Sequence, residues 1–245
     1  MISRRLLSLT VFLGTSSWQA PSGKGSARLS GVVFFFALLQ VVSVRLAPGC
    51  CGGEITGRVI DATGTGVAQA VVFVQTLPAG VTPPQGVSTA EMDQIHKEFA
   101  PSVLPIAVGT EVRFPNRDQI HHHVYSFSRT KSFELPLYKG EDAPPVLFDK
   151  PGVVKIGCNI HDWMSAIIFV APTPYFALSD ESGKFVLPNL PPGNYTLAAW
   201  HELSQVKVED TAQSVQVGAQ APEVAFSLTL AERRAGPVSR KGGGY

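Results

Sequence analysis

Three residues whose side chains bind soft metal ions lie close together in the second half of the chain. Cys158, His161 and Met164 are separated from one another by two residues each. A thiolate, an imidazole and a thioether are soft or borderline ligands, and together they favour copper. Blue-copper electron-transfer sites use two histidines, one cysteine and a weak axial methionine. The spacing therefore predicts a site of this kind that takes one further histidine from elsewhere in the chain.

The second histidine is predicted in the upstream segment 114–124. This segment contains three consecutive histidines, His121, His122 and His123, between two apolar runs. Successive side chains of a strand point to opposite faces of its sheet, so only one parity faces the site.

Short runs rich in Val, Ile and Phe surround both segments, and Gly and Pro separate these runs, as is typical of an all-β fold. A strand over Val153–Ile156 would fix the position of Cys158. A loop that contains His161 and Met164 would lead from it to a strand over Ala166–Val170. A helical period is discernible only in Thr89–Glu98. The other predicted strands are Ile55–Ile60, Ala70–Val74, Ile106–Val108, Val112–Phe114, His123–Phe127, Val146–Phe148, Phe185–Leu187, Tyr195–Trp200, Val206–Val208, Ser214–Val217 and Val224–Leu230.

The two segments resemble the cupredoxin family. The spacing Cys-x2-His-x2-Met is similar to the ligand loop of amicyanins. The upstream segment is similar to the plastocyanin pattern Phe-x-Asn-x-Asp-x-x-Pro-His-Asn-Val, and the residues that match are Phe114, Asn116, Asp118, His122 and Val124. The resemblance covers roughly residues 91–170 and extends to the plastocyanin-like proteins that are called methylamine utilization proteins in bacteria.

This resemblance implies one type 1 copper ion and a set of residues that bind it. The four implied ligands are His122, Cys158, His161 and Met164. Asn116, Asp118 and His123 are implied as residues that support the ligands. His123 replaces an asparagine that braces the cysteine loop in the family, and we expect its imidazole to take that role. The assignment of the upstream ligand to His121 or His123 remains an alternative.

A second pattern flanks the copper-binding part. Residues 54–74 resemble the opening of a carboxypeptidase regulatory-like, transthyretin-like sandwich, and Asp180–Leu197 resembles its continuation. We infer a cupredoxin Greek-key sandwich at 76–172, inserted into a smaller, discontinuous β-sandwich made of 54–75 and 173–230. Insertion is tolerated where strand ends lie close together at the surface. A single fused β-sandwich is the alternative.

The ends of the chain are predicted to lie outside both sandwiches. The apolar run Val32–Val44 is too short for a transmembrane helix and is typical of a signal peptide. Residues 1–53 are therefore predicted to direct export to the periplasm, with no membrane span in the mature chain. An uncleaved anchor and a lipid anchor at Cys50 are alternatives. The polar, Gly-rich tail 231–245 is predicted to be disordered.

The composition and the residue types also exclude two classes of function from the expectation. The 20 basic and 19 acidic residues leave a net charge of +1, so a nucleic-acid-binding surface is not expected. No general base, nucleophile or open metal position is evident, so an enzyme is not expected.

The leading hypothesis is a carrier of single electrons that meets redox proteins transiently through the edge of His161. Trp163 is predicted either in the core or on that docking face. Copper storage, delivery or sensing is an alternative, and so is a carbohydrate-binding or adhesion module.

Overall fold

The computed structural model describes residues 53–232 except 85, 87 and 219–221. The strands are β1 (Gly53–Asp61), β2 (Val71–Thr76), β3 (Thr89–Glu91), β4 (Asp93–Ile95), β5 (Glu98–Ala100), β6 (Val103–Ala107), β7 (Thr110–Arg113), β8 (His122–Phe127), β9 (Ser132–Tyr138), β10 (Val146–Phe148), β11 (Gly152–Cys158), β12 (His161–Ala171), β13 (Phe176–Leu178), β14 (Lys184–Leu190), β15 (Gly193–Trp200), β16 (Gln213–Val217) and β17 (Glu223–Leu228). The only helical element in this part of the chain is one 3-10 turn at Val208–Thr211. The prediction of an all-β fold is confirmed.

The predicted terminal segments fall almost wholly outside the described residues. The targeting segment is described only at Gly53, so Cys50 is not covered, and the tail is described only at 231–232. Among the described residues, no helix is long and apolar enough to span a bilayer.

The strands between residues 89 and 171 form two larger sheets that share one apolar core, and β4 and β5 pair separately as a two-stranded sheet. One sheet has the order β6-β12-β11-β8-β9 and the other has the order β10-β7-β3. The core combines Val124, Ile156 and Ile168 from the first sheet with Val112 and Phe148 from the second. The two sheets therefore pack face to face as a β-sandwich.

The hairpin between β11 and β12 shapes the ligand segment. Cys158 pairs with His161 across a two-residue turn, while the preceding pair is Gly157 with Ser165. Residues 162–164 are thus extra residues on β12, which is the irregularity of a β-bulge. The ligand segment was predicted as a loop, but β12 already begins at His161.

A second pair of sheets joins the two ends of the described chain. One has the order β14-β1-β17, and the other has the order β13-β2-β15-β16. Val59 and Phe226 from the first sheet share a core with Val72, Leu197 and Val215 from the second. The expected partners are present: β1 pairs with β14, and β2 pairs with β15. The insertion of one independently folding sandwich into another stays a prediction.

A small apolar cluster connects the two pairs of sheets. Val71 and Phe73 of β2 and Ala198 of β15 pack with Val103 of β6 and Phe169 of β12. The rings of Phe73 and Phe169 lie 5.0 Å apart between centroids. We call these residues the junction cluster.

Two expectations for individual elements are wrong. Residues 89–98 are not helical, because burial alternates with a period of two at Met92 and Gln94, and His96 and Lys97 form a tight turn with positive φ. The strand predicted at Val206–Val208 is replaced by the 3-10 turn, whose Thr211 hydroxyl accepts a hydrogen bond from the β15 backbone. Strands β3, β4, β5, β9 and β13 have no counterpart among the predicted strands.

Candidate metal centre

Three of the four predicted copper ligands come together in the structure. The Cys158 Sγ atom lies 3.9 Å from His122 Nδ1 and 3.6 Å from His161 Nδ1. The ligand atoms of the three residues all lie within 4.8 Å of one another. Sulfur and nitrogen ligands bind zinc, for example, at about 2.3 and about 2.0 Å, so donors to one ion lie about 4 Å apart. The spacing fits a single transition-metal ion.

Cys158 is suited to act as the thiolate. It is a free cysteine with an exposed fraction of 3%, at the end of β11. The strand is held on both sides, by β12 and β8, so the position of the sulfur is fixed by two ladders of backbone hydrogen bonds. A single buried thiol between two imidazoles matches the donor chemistry of a copper site.

His122 is fully buried at the start of β8, and its ring is held by Asp118. Its Nε2 atom lies 2.8 Å from Oδ2 of Asp118. Because a carboxylate only accepts hydrogen bonds, Nε2 donates and Nδ1 keeps its lone pair towards Cys158. Such a hydrogen bond fixes both the tautomer and the ring orientation of a histidine ligand.

Asp118 is itself held by a turn that is distant in sequence. Its carboxylate accepts hydrogen bonds from the backbone amides of His96 and Lys97, at 2.7 and 2.8 Å. Burial acts to raise the pKa of Asp118, but the hydrogen bonds from Lys97, His122 and His96 outweigh it and hold the pKa below its ordinary value. The carboxylate is therefore ionised at neutral pH, and the β4–β5 turn supports His122 through it.

Asn116 shapes the segment that presents Asp118. Its side-chain amide donates to the backbone carbonyls of Ile120 and Tyr138, and its Oδ1 accepts the amide hydrogen of Asp118. Two of these bonds lie within the 116–120 segment, and the bond to Tyr138 holds that segment against β9. Asn116 thus acts on the site indirectly, by fixing the backbone that carries Asp118.

His161 is the partly exposed member of the group. Burial is the main cause that lowers the pKa of His161, and the positive charge of Lys97 adds to it. Its ring lies between those of His122 and Trp163, with centroids 5.0 and 5.3 Å away. A neutral imidazole with one edge near the surface can bind a metal and remain accessible to a partner. Trp163 is 54% exposed, so it is not a core residue.

Met164 ends the bulge on β12 and has an exposed fraction of 2%. It belongs to the same apolar core cluster as Cys158. Its thioether is therefore buried in the core that also contains Cys158, which is compatible with the predicted axial role.

The two neighbours of His122 have other surroundings. His121 is exposed. His123 points to the opposite face of β8, where its Nε2 lies 2.8 Å from Oε1 of Glu134. Its Nδ1 has no hydrogen-bond partner among the described residues. The bond expected from His123 to the cysteine loop is thus replaced by one to β9.

Some residues around the site were not anticipated from the sequence. Tyr138 donates to the Phe114 carbonyl and meets the Gln94 side chain, and burial raises its pKa to about 12. Lys97 places a positive charge near His161. No local pattern marks these residues, because they reach the site only through strand pairing over long sequence separations.

Comparisons with known proteins find likenesses only at the level of structure. No protein-family model and no curated protein matches the chain. A purple cupredoxin from Nitrosopumilus maritimus is 26% identical over 34% of this chain and 99% of that chain, with a TM-score of 0.31. A copper-containing nitrite reductase from Thermus scotoductus SA-01 is 26% identical over 39% of this chain, with a TM-score of 0.32, and the match spans only 25% of the reductase. A reduced mutant of amicyanin is 21% identical over 40% of this chain and 97% of that chain, with a TM-score of 0.32.

Proposed function

We propose that the protein binds one type 1 copper ion through His122, Cys158, His161 and Met164. The observation that carries this proposal is the convergence of one buried thiol and two imidazole Nδ1 atoms within 4.8 Å. The hydrogen bond from His122 to Asp118 leaves Nδ1 free for a metal. A copper ion held here would supply one-electron exchange between its cupric and cuprous states.

The surface around His161 supports a role in electron transfer between proteins. A shallow depression is lined by His161 and by Ile120, His121, Leu137 and Ile160. The exposed fractions of Leu137 and Ile160 are 56% and 49%. A small apolar face of this kind suits brief encounters with a redox partner. We assign the exposed edge of His161 as the point of electron exchange, with Trp163 on the same face.

The wider proposal is a periplasmic electron carrier that is not an enzyme. The support for the carrier role is the convergence of three donor residues, one of them a buried thiol, beside the apolar depression lined by His161. The proposal that the protein is exported to the periplasm rests on the signal-peptide pattern of the sequence. The second sandwich is proposed to be a structural module, because its core is continuous and its sheets support β6 and β12 through the junction cluster.

Addition of Cu(II) to the purified protein tests the copper proposal. We expect an intense thiolate-to-copper absorption band and reversible one-electron cycling. Binding of Cu(I) alone, without the band, would instead favour storage or delivery. A preference for Zn²⁺ over copper with no visible band would indicate a structural zinc site and would refute the proposal.

A further inference from the structure

A polar cavity of about 190 Å³ lies between the two pairs of sheets, beside the junction cluster. The pair that carries the proposed copper site contributes Lys155 of β11 and Ser165 of β12, and the second pair contributes Gln69 and Glu202, which flank β2 and β15. Pockets for drug-sized ligands measure about 300–1,000 Å³. The smaller volume here suits a ligand with few non-hydrogen atoms.

The floor of the cavity is apolar and held by strand pairing. Ile167 of β12 pairs with Val103 of β6, and both residues line the cavity with exposed fractions of 5% and 6%. The Ile167 amide also donates to the Ser102 carbonyl at 3.0 Å. On its other side Ile167 pairs with Lys155. The floor is therefore fixed within the five-stranded sheet, and it can accept the hydrocarbon part of a ligand.

Gln69, on the opposite wall, has a backbone conformation that is unfavourable for its residue type. Its φ is 57°, in the left-handed region that residues other than glycine rarely adopt. Its amide donates to the Ser179 carbonyl at 2.9 Å, and the Ser102 hydroxyl donates to its Oε1 at 3.1 Å. Its Nε2 donors have no hydrogen-bond partner among the described residues. Strain that the surroundings maintain in this way is common at binding sites.

Two opposite charges line the cavity without pairing with each other. Lys155 and Glu202 are both exposed. None of the ion pairs in the part of the chain that the structure describes involves either residue. A simple anion would meet the charge of Glu202, and a simple cation would meet the charge of Lys155. A ligand that carries both charges is the complementary one.

We propose that this cavity binds a small zwitterion of the amino-acid class. The ligand carboxylate binds Lys155, its ammonium group binds Glu202, and its short side chain lies on Ile167. A hydroxyl on that side chain accepts a hydrogen bond from Gln69 Nε2 and donates to the Ser165 hydroxyl. The proposal does not depend on the proposed copper function, because none of these residues is a proposed metal ligand.

L-Serine tests the site by NMR titration of the ¹⁵N-labelled protein without added copper. We expect the amide signals of Ser102, Ser165 and Ile167 to shift, with a dissociation constant in the millimolar range. Acetate supplies only the anion and methylammonium only the cation, so each should bind about fivefold more weakly at matched ionic strength. The absence of these shifts with L-serine, or equal binding of acetate, would overturn the proposal.

Single substitutions test the two charges. Lys155→Gln and Glu202→Gln should each weaken L-serine binding by about fivefold, because each removes one exposed ionic contact. Lys184→Gln and Glu223→Gln are the matched controls. They make the same charge changes at exposed positions of the sheet β14-β1-β17, which does not line the cavity, and should bind like the parent. Equal affinities in all five proteins would contradict the proposal.

The variant Gln69→Gly separates binding from stability. Glycine adopts a positive φ without strain, so the midpoint of thermal unfolding should not fall. Binding of L-serine should weaken, while L-alanine, which lacks the hydroxyl, should bind the variant and the parent equally. Equal binding of L-serine by the two proteins would overturn the role of Gln69. A protein that binds L-serine but shows no thiolate-to-copper band would retain this site and lose the proposed function.

Discussion

The Asp118 carboxylate lies 2.8 Å from Nε2 of His122, while Nδ1 of the same ring faces the Cys158 sulfur at 3.9 Å. One imidazole thus connects the proposed metal position to a carboxylate that is itself fixed by two backbone amides of the β4–β5 turn. The turn, the carboxylate and the ring form one rigid support. The alignment of His122 therefore depends on residues that do not bind the metal.

Replacement of Asp118 by Ala should weaken copper binding by about 10- to 100-fold, as expected when a support of a ligand histidine is lost. A competition titration with a chelator measures the affinity. Asp162→Ala removes an exposed carboxylate from β12 and serves as the control. Equal affinities for the two variants would show that Asp118 does not support the ligand.

Single substitutions should separate the three adjacent histidines. His122→Ala should abolish the visible band of the copper-loaded protein, because it removes the buried Nδ1 beside Cys158. His121→Ala, at an exposed residue, should keep the band. His123→Ala should also keep it, because that ring faces Glu134. Loss of the band in either neighbour together with retention in His122→Ala would place the upstream ligand one residue away.

Phe169→Ala should lower the free energy of unfolding by about 3–5 kcal/mol, as for other buried phenylalanines. Phe169 is 4% exposed and its ring meets Phe73 and Trp200, at centroid distances of 5.0 and 5.2 Å. Denaturant unfolding measures the change. Phe127→Ala is the matched control, because an 84% exposed ring should contribute within about 0.5 kcal/mol. A small effect at Phe169 would mean that the junction cluster does not stabilise the fold.

The segment 76–172 expressed alone should fold and bind copper, because its two sheets enclose their own core. It should be less stable than the whole protein, since Val103 and Phe169 would lose the β2 and β15 side chains of the junction cluster. Circular dichroism and the visible band report folding and binding. A segment that remains unfolded with copper present would favour a single fused sandwich.

Two aspartate turns predict a dependence of stability on acid pH. Hydrogen bonds from Thr63 and from Ser182, respectively, lower the pKa of Asp61 and the pKa of Asp180. A lowered pKa in the folded state contributes stability above the unfolded pKa, and this contribution is lost as the pH falls through the folded pKa.

Asp61→Asn/Asp180→Asn should therefore flatten the dependence of the unfolding free energy on pH as the pH falls below about 4. Glu181→Gln removes a charge from the same turn as Asp180 and is the control. An unchanged slope in the double variant would show that these turns do not contribute through ionisation.

The grouping of Cys158 and His161 with His122 was accessible from the sequence because it depends on local spacing and on the alternation of side chains along a strand. Cys158 and His161 are three residues apart, and His122 was assigned from a pattern within eleven residues. The β12 bulge and the support of Asp118 by His96 and Lys97 were not accessible, because they depend on pairing between distant strands. The strands within residues 89–98 were not accessible either, because polar side chains obscure a period of two in burial there.

The most direct test of the account is the visible spectrum of the protein and of Cys158→Ser after addition of Cu(II). A hydroxyl does not replace the soft thiolate, so the account predicts an intense band in the parent and none in the variant. The same spectrum in both proteins, with or without a band, would contradict the assignment of Cys158 as the copper thiolate.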